Sequence, residues 1–401
     1  MHLTNPPYEV AFPDNFEPAE TPYELFTEEH HSLRKMVKVF VEKELAPHAI
    51  QWEGQEDFPR ETFRRLGELG LNGMKFPEAY GGTGPDYVAE AVVIEELTGI
   101  GSGGVAADLG AHRDLACLYV HNFGNDEQRK KWLKPGISGQ LLGALAVTEP
   151  GAGSDVAGIE TRAVPDGGDY ILNGSKVFIT NGSWCDFVVV AAKTSSEEGH
   201  GGISLIVVEK GTVGFEQRRM RMLGWRTSHT GELSFQDCRV PKANRLGEEE
   251  GRGFYQIMQN FQWERLSMAL AQVAGAARIY EMARKYALER KAFGREIGHF
   301  QVWRHRFADM ASEIEMARAL TYHALRMFVH GIPCIAEVSM AKDLSADIAF
   351  KVADECVQVH GGYGYMMEFP AQRAWRDTRL GPIGGGTSEI MKEIIGKSLG
   401  L

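Results

Sequence analysis

The sequence predicts an α+β multidomain protein: a helical N-terminal domain, a β middle domain and a C-terminal helical bundle. Three observations predict it. The chain has 401 residues, 43% of them hydrophobic, which is ample for more than one buried core. Apolar residues recur with helical spacing as far as Leu142, with strand spacing from Leu145 to Gly247, and with helical spacing again from Phe254. Glycines and prolines punctuate the middle block throughout. The boundaries expected are an arm over 1–25, helices over 26–144, strands over 145–250 and the bundle over 251–401.

In the first block Leu33, Val37, Phe40, Val41 and Leu45 make one helical stripe, ended by Pro47. A second helix covers Tyr87 to Thr98 and stops in the glycines Gly99 to Gly104. In the middle block, Tyr170-Ile171-Leu172 and Lys176 to Ile179 flank Asn173-Gly174, which reads as a hairpin with a tight turn. Asp186 to Ala192, Ile203 to Val208 and Glu232 to Phe235 read as further short strands. One long helix then runs from Phe254 to Phe293 and ends at Gly294. Gln301 to Val329 is closed by Gly331 and Pro333, and Ile335 to Val359 by Gly361 and Gly362. Ile390 to Leu399 is a short last helix.

The net charge of −11, from 43 basic and 54 acidic residues, speaks against a nucleic-acid surface. Arg218, Arg219 and Arg221 cluster locally, either to dock a phosphorylated small molecule or as a solvated edge. The five cysteines are scattered and never spaced C-x-x-C, which fits a reducing compartment and free thiols. H-E-x-x-H is absent, and no metal site is expected. No apolar run approaches the roughly 20 residues of a membrane helix. Met1 to Phe26 is rich in Pro and Glu and has no Lys or Arg. It reads as a surface arm, not as a secretory signal or an Arg-rich transit peptide. A bacterial cytoplasm is expected, or an organelle matrix if a transit peptide was removed.

Several motifs fail on context. Gly99-x-Gly101-x-x-Gly104 follows a helix, not a strand, and lacks the downstream acid, so it reads as a glycine-rich helix end. Gly396-Lys397-Ser398 lacks the earlier P-loop glycine, because position 391 is Met. No G-x-S-x-G elbow exists. The two Asn-Gly-Ser sites, at Asn173 and Asn181, are explained as turn asparagines.

One residue breaks its pattern. On the long helix Ile257, Phe261, Glu264, Met268 and Ala271 follow steps of four, three, four and three, so they share one face. Glu264 therefore sits in an apolar stripe, and its neighbour Arg265 points about 100° away around the helix. Two readings stand: a core glutamate paired to a distant cation, or a carboxylate kept dry to accept a proton.

Leu145-Ala-Val-Thr-Glu-Pro-Gly-Ala-Gly-Ser-Asp155 resembles the flavin-binding signature of acyl-CoA dehydrogenases. So do Phe178-Ile-Thr-Asn-Gly182, Arg290-Lys-Ala-Phe-Gly294, Gln358-Val-His-Gly-Gly362 and Gly385-Gly-Thr-Ser-Glu389. These stand in family order over nearly the whole chain, and the likeness is nearest to the long-chain and isovaleryl branches. The resemblance implies a helical N-terminal domain, a β-barrel or sandwich middle domain and a C-terminal four-helix bundle. It implies FAD as cofactor, α,β-dehydrogenation of a fatty or branched acyl-CoA, and electron-transfer flavoprotein as electron acceptor. It also implies a homotetramer, a dimer of dimers with FAD across a subunit interface. Alternatives are an oxygen-using oxidase or monooxygenase of the same fold, and a silent acyl-CoA-binding protein.

Most of the family carries its base just before Gly-Thr-Ser, where this chain has Gly385. The isovaleryl and long-chain branches carry it instead in a Glu-Arg-Leu triplet on the long helix, and Glu264-Arg265-Leu266 matches that triplet. The resemblance thus assigns the base to Glu264. It assigns flavin contacts to Leu145, Val147, Thr148, Gly153 and Ser154, and ring cover to Phe178, Ile179 and Thr180. Arg290 and Gln301, with Gln358, Val359, His360, Gly361 and Gly362, would reach the pyrophosphate and adenosine half from the neighbouring subunit. Thr387, Ser388 and Glu389 would close over the flavin. Ser154, Tyr255, Gln262, Trp263, Arg265, Gly385 and Gly386 would line the thioester and pantetheine channel, although Trp263 reads equally as core. The small run Ser102-Gly103-Gly104 would leave room at the acyl-pocket floor.

Overall fold

The computed structural model describes residues 25–195 and 199–401. Apart from Leu25, the expected arm over 1–25 lies outside them. The N-terminal block folds as α1 (Glu28–Phe40), α2 (Ala49–Gln55), α3 (Glu61–Glu68), α4 (Tyr87–Leu97), α5 (Gly103–Gly110), α6 (Leu118–Phe123), α7 (Asp126–Gln128) and α8 (Lys134–Ile137). Pro47 does not end the first helix region. It sits in a short 3-10 turn, Ala46–His48, where the missing N–H costs nothing, and α2 follows directly. The Asp86 side chain caps α4 by accepting from the Val88 and Ala89 N–H groups at 2.9 and 2.8 Å. Every residue of α4 after Tyr87 is buried, so this helix is enclosed on all sides.

The middle block is one sheet of eight strands: β1 (Gly143–Ala146), β2 (Arg162–Asp166), β3 (Asp169–Ile179), β4 (Phe187–Lys193), β5 (Ile203–Glu209), β6 (Phe215–Arg219), β7 (Gly231–Pro241) and β8 (Arg245–Leu246). The order is β6-β7-β3-β2-β4-β5-β8, with β1 added parallel to β4. β4 and β5 are buried on both faces. Val188, Val190, Ile206 and Val208 join the core of the sheet itself, while Val189, Ala191, Leu205 and Val207 join the core shared with the helices. Alternate residues of one strand thus seal two cores.

The expected hairpin at Asn173-Gly174 does not form. β3 runs straight through it, with a bulge between Leu172 and Gly174 on its pairing with β7. Gly174 has φ +149°, and a Cβ there would lie 2.5 Å from Thr161 Oγ1. The chain reverses instead at Gly167-Gly168, between the paired Asp166 and Asp169.

The C-terminal block has three long helices, α9 (Gly253–Glu289), α10 (Gln301–Val329) and α11 (Ile335–His360). Between α9 and α10 lie the two-residue strands β9 (Lys291–Ala292) and β10 (Arg295–Glu296). α12 (Pro370–Thr378), which periodicity did not signal, and α13 (Ser388–Ser398) both pack on α11, and α13 serves as the fourth helix. Tyr286 near the end of α9 stacks on His360 at the end of α11 with ring centroids 4.1 Å apart, so these helices run parallel and α10 returns between their ends. All five cysteines are free and buried. No helix of the described residues is long and apolar enough to cross a membrane.

Candidate active site

Ile257, Asn260, Trp263, Leu266, Leu270 and Val273 form the buried face of α9. The stripe through Glu264 lies beside it, not on it. Only Ile257 of that stripe is fully buried; Phe261, Glu264, Met268 and Ala271 are half-buried. Glu264 and Met268 face the loop before α13. A Cβ at Gly385 would lie 2.4 Å from Met268 Sδ and 3.8 Å from Glu264 Oε1. A side chain at 385 would have to displace Met268 to sit beside Glu264.

The Glu264 carboxylate has no ion-pair partner among the described residues, and its Oε2 is buried without a hydrogen bond. Burial pushes its pKa up to about 7, opposed by the charges of Arg265 and Lys342 and reinforced by Asp114. Both nearby cations are turned to the loop. Arg265 Nε donates to the Gly385 carbonyl at 3.4 Å, and Lys342 Nζ donates to the Gly386 carbonyl. Arg265 and Lys342 thus fix two successive peptide units beside Glu264. Gly385 and Gly386 adopt φ of +65° and +98°, a conformation that favours glycine. Thr387 caps α13 by accepting from the Ile390 N–H at 3.3 Å; Ser388 is buried and Glu389 is exposed.

The second cluster of expected residues sits at the end of β1 and beside β3. Lys176 Nζ donates to the Val147 carbonyl at 2.8 Å and to Glu149 Oε1 at 2.7 Å. Val177 N–H donates to the Thr148 carbonyl at 3.0 Å. These bonds hold Leu145, Val147 and Thr148 in place and leave Gly153 and Ser154 exposed. Phe178 is 65% exposed with φ +62°. A solvent-facing aromatic on a strained backbone is costly in the chain alone, and a flat ring system laid on this edge would account for it. Thr180 is half-buried beside it, but Ile179 is turned into the sheet core and can offer a ligand only its backbone. The residues present therefore fit a flavin. Asn181 stands in a turn, as the Asn-Gly pair predicts; it is buried, bonds the Asp108 carbonyl at 2.8 Å and the Trp184 indole at 2.9 Å, and so anchors the turn after Phe178. Its φ of +63° suits the Asn-Gly pair at 181–182, the one local signal.

A third cluster lies at the far end of the bundle. Arg290 ends α9, Gln301 begins α10, and Gln358, Gly361 and Gly362 close α11; all five are exposed. The side chains of Val359 and His360 face the bundle interior, so these two can offer a ligand only their backbone. His360 Nδ1 donates to the Cys356 carbonyl at 2.7 Å. Arg290 stands 26 residues from Glu264 on one helix, about 39 Å away. The cluster and the Glu264 cleft of one chain are therefore widely separated along the bundle.

Among the channel residues, Tyr255 is exposed and lines an open cleft with Asn122, Arg129, Lys242, Arg245 and Arg252. Gln262 is half-buried with an unpartnered Oε1. Trp263 is core and not channel: it is 1% exposed, and its indole N–H donates to Asp114 Oδ1 at 2.7 Å. The room expected at Ser102-Gly103-Gly104 is also absent. Cβ atoms at Gly103 and Gly104 would lie 2.8 Å from Trp225 and 2.3 Å from Thr227 Oγ1, so small residues there permit close packing.

Three family models cover nearly the whole chain. Acyl-CoA dehydrogenase, N-terminal domain, matches residues 27–140; the middle domain matches 144–238; the C-terminal domain matches 251–400. The mitochondrial long-chain specific acyl-CoA dehydrogenase of Sus scrofa is 41% identical over 379 residues, 94% of this chain and 87% of that protein. The caffeyl-CoA reductase-Etf complex subunit CarC of Acetobacterium woodii is 37% identical over 375 residues, 92% of this chain and 98% of that one. The crystal structure of acyl-CoA dehydrogenase from Geobacillus kaustophilus superposes with a TM-score of 0.91 at 42% identity, covering 94% of this chain and 99% of that chain.

Proposed function

The chain belongs to the acyl-CoA dehydrogenase family, which is FAD-dependent, and from that premise we propose how its own residues dehydrogenate an acyl-CoA thioester. FAD supplies the hydride acceptor at its N5. Glu264 is the base that takes the α-proton. The observation that carries this is an enclosed carboxylate with one oxygen unpartnered, beside a loop that has only glycine where a rival acid would stand. The Gly385 amide is the donor to the thioester oxygen, held by the Arg265 and Lys342 bonds to the two loop carbonyls. Preorganised donors of this kind contribute about 3–4 kcal/mol to lowering a barrier.

The substrate we assign is a fatty or branched acyl-CoA, a reading that the name of the long-chain relative supports. The cleft of Arg129, Lys242, Arg245 and Arg252 beside Tyr255 offers cations to the phosphates of CoA. Electron-transfer flavoprotein is the proposed acceptor, supported by the name of the Acetobacterium woodii relative. A homotetramer is the proposed assembly. In it Arg290, Gln301, Gln358, Gly361 and Gly362 serve the FAD of a neighbouring subunit, and the exposed apolar residues Phe293 and Tyr365, 96% and 85% accessible, are covered.

The test is anaerobic bleaching of the bound flavin by an acyl-CoA panel. Glu264→Gln is expected to slow bleaching by about 10³-fold; bleaching at the wild-type rate rules out the base assignment. The base must be ionised to act, so the wild-type rate is expected to fall as pH drops below about 7.

A further inference from the structure

A buried group of four charges lies behind α9, and the dehydrogenation chemistry assigned above makes no use of it. Lys75 comes from the loop after α3, Glu90 from α4, and Arg113 and Asp114 from the π-helical segment Ala111–Cys117. Lys75 Nζ stands 2.7 Å from Asp114 Oδ1 and 3.2 Å from Glu90 Oε1. Arg113 stands 3.1 Å from Glu90 and 3.4 Å from Asp114. All four side chains are essentially inaccessible, and their formal charges cancel. Well-packed apolar residues would hold such a site as well or better, and π-helical segments recur at functional sites. Stability alone is therefore a poor account of the group.

It meets α9 at Trp263. The indole packs against Tyr87 and Phe328, with ring centroids 4.6 and 5.5 Å away, and its N–H ends on Asp114 at 2.7 Å. Trp263 immediately precedes Glu264, about 100° around the helix. Pinning the indole fixes the rotation of α9, and with it the direction of the Glu264 carboxylate.

Resting on the reading of Glu264 as base, we propose that Asp114 and Trp263 are positioning residues for it: Trp263 sets its direction, and Asp114 anchors the indole and holds a buried negative charge behind the same turn of α9. The other ionisable groups around Glu264 are Arg265 on its own helix, Lys342 from α11 and Tyr119 from α6. Arg265 and Lys342 favour the ionised carboxylate but are spent on the loop carbonyls of Gly385 and Gly386. Asp114 opposes them. Lys75 and Arg113 keep Asp114 itself ionised, with its pKa held below the usual carboxylate value despite burial.

The experiment is the pH profile of anaerobic flavin reduction by saturating acyl-CoA, on full-length flavin-loaded enzyme. Asp114→Asn is expected to move the acid limb to lower pH by about 0.5 to 1 unit. Trp263→Phe keeps the charge and loses the N–H; its plateau rate is expected to fall about 3- to 10-fold with the limb in place. Asp114→Glu is expected to keep the wild-type limb. If Asp114→Asn yields no flavin-loaded protein, Lys75→Met/Asp114→Asn removes one charge of each sign, and a downward shift smaller than that of the single variant is expected, because the lost cation partly offsets the lost anion. A limb that stays put without Asp114, or a wild-type plateau in Trp263→Phe, overturns the inference. Glu264→Gln separates the two readings. If it is slow while the limb ignores Asp114, only this inference fails; if it reduces flavin at the wild-type rate, the base assignment fails.

Discussion

Glu149, beneath the 147–154 turn, and Glu264, on α9, are both withdrawn from solvent, and burial pushes both carboxylates towards the neutral form. At Glu149 that push is overcome. Lys176 Nζ bonds it at 2.7 Å, the Thr161 N–H at 3.0 Å and the Glu160 N–H at 2.6 Å, and its pKa lies below the usual value. At Glu264 nothing is hydrogen-bonded to the buried oxygen, and the pKa rises to about 7. The first glutamate is a fastener and the second is held ready to react. The difference lies in partners: Glu149 is the less exposed of the two side chains, so exposure alone would rank them the wrong way round.

The comparison can be broken from either side. Lys176→Met leaves Glu149 enclosed without its cation; a loss of about 3–5 kcal/mol in urea unfolding is expected, together with weaker flavin retention on dilution. Gly385→Ala drives a Cβ towards Met268 Sδ at a φ of +65°. It is expected to cost about 1–3 kcal/mol, and Met268→Ala in the same chain should restore part of it, since only the steric share is relieved. Glu264→Gln is expected to act in the opposite sense to Lys176→Met. The folded pKa of Glu264 is raised, so its ionisation opposes folding; that cost begins above the unfolded value near 4.5 and is complete above about 7. At pH 8 the glutamine variant should therefore be more stable by about 1–3 kcal/mol, and near pH 4 indistinguishable from the parent. A melting-temperature series against pH reads the difference directly.

Much of this was legible in the sequence. The long helices carry enough apolar repeats to place their ends within a few residues, and the period of α9 singled out Glu264. Spacing alone leaves Glu264 between paired core residue and dry base, because it reports which residues share a side, not what lies opposite; here it is the loop at Gly385. Asn173-Gly174 misled because the pair that makes a tight turn also makes a bulge, and pairing with β7 decides between them. Lys75, Glu90, Arg113 and Asp114 were invisible because no window of sequence contains their contacts. The one trace was Glu90, which with Glu95 and Glu96 is one of three acids in a helix buried on every side. Trp263 was left between core and channel, and the Asp114 contact settles it.

The length of α9 has one more consequence. If the residues at its far end serve a neighbour's cofactor, each catalytic centre is a joint product of two chains, and defects at the two ends are separable by mixing. A subunit disabled at Glu264 and another disabled at Arg290 would each be inactive alone. Dissociated and reassembled together, they would recover part of the activity, because some centres would draw a sound half from each. Two variants of a single end would never rescue one another, so such pairwise complementation maps which residues belong to which half of the shared site.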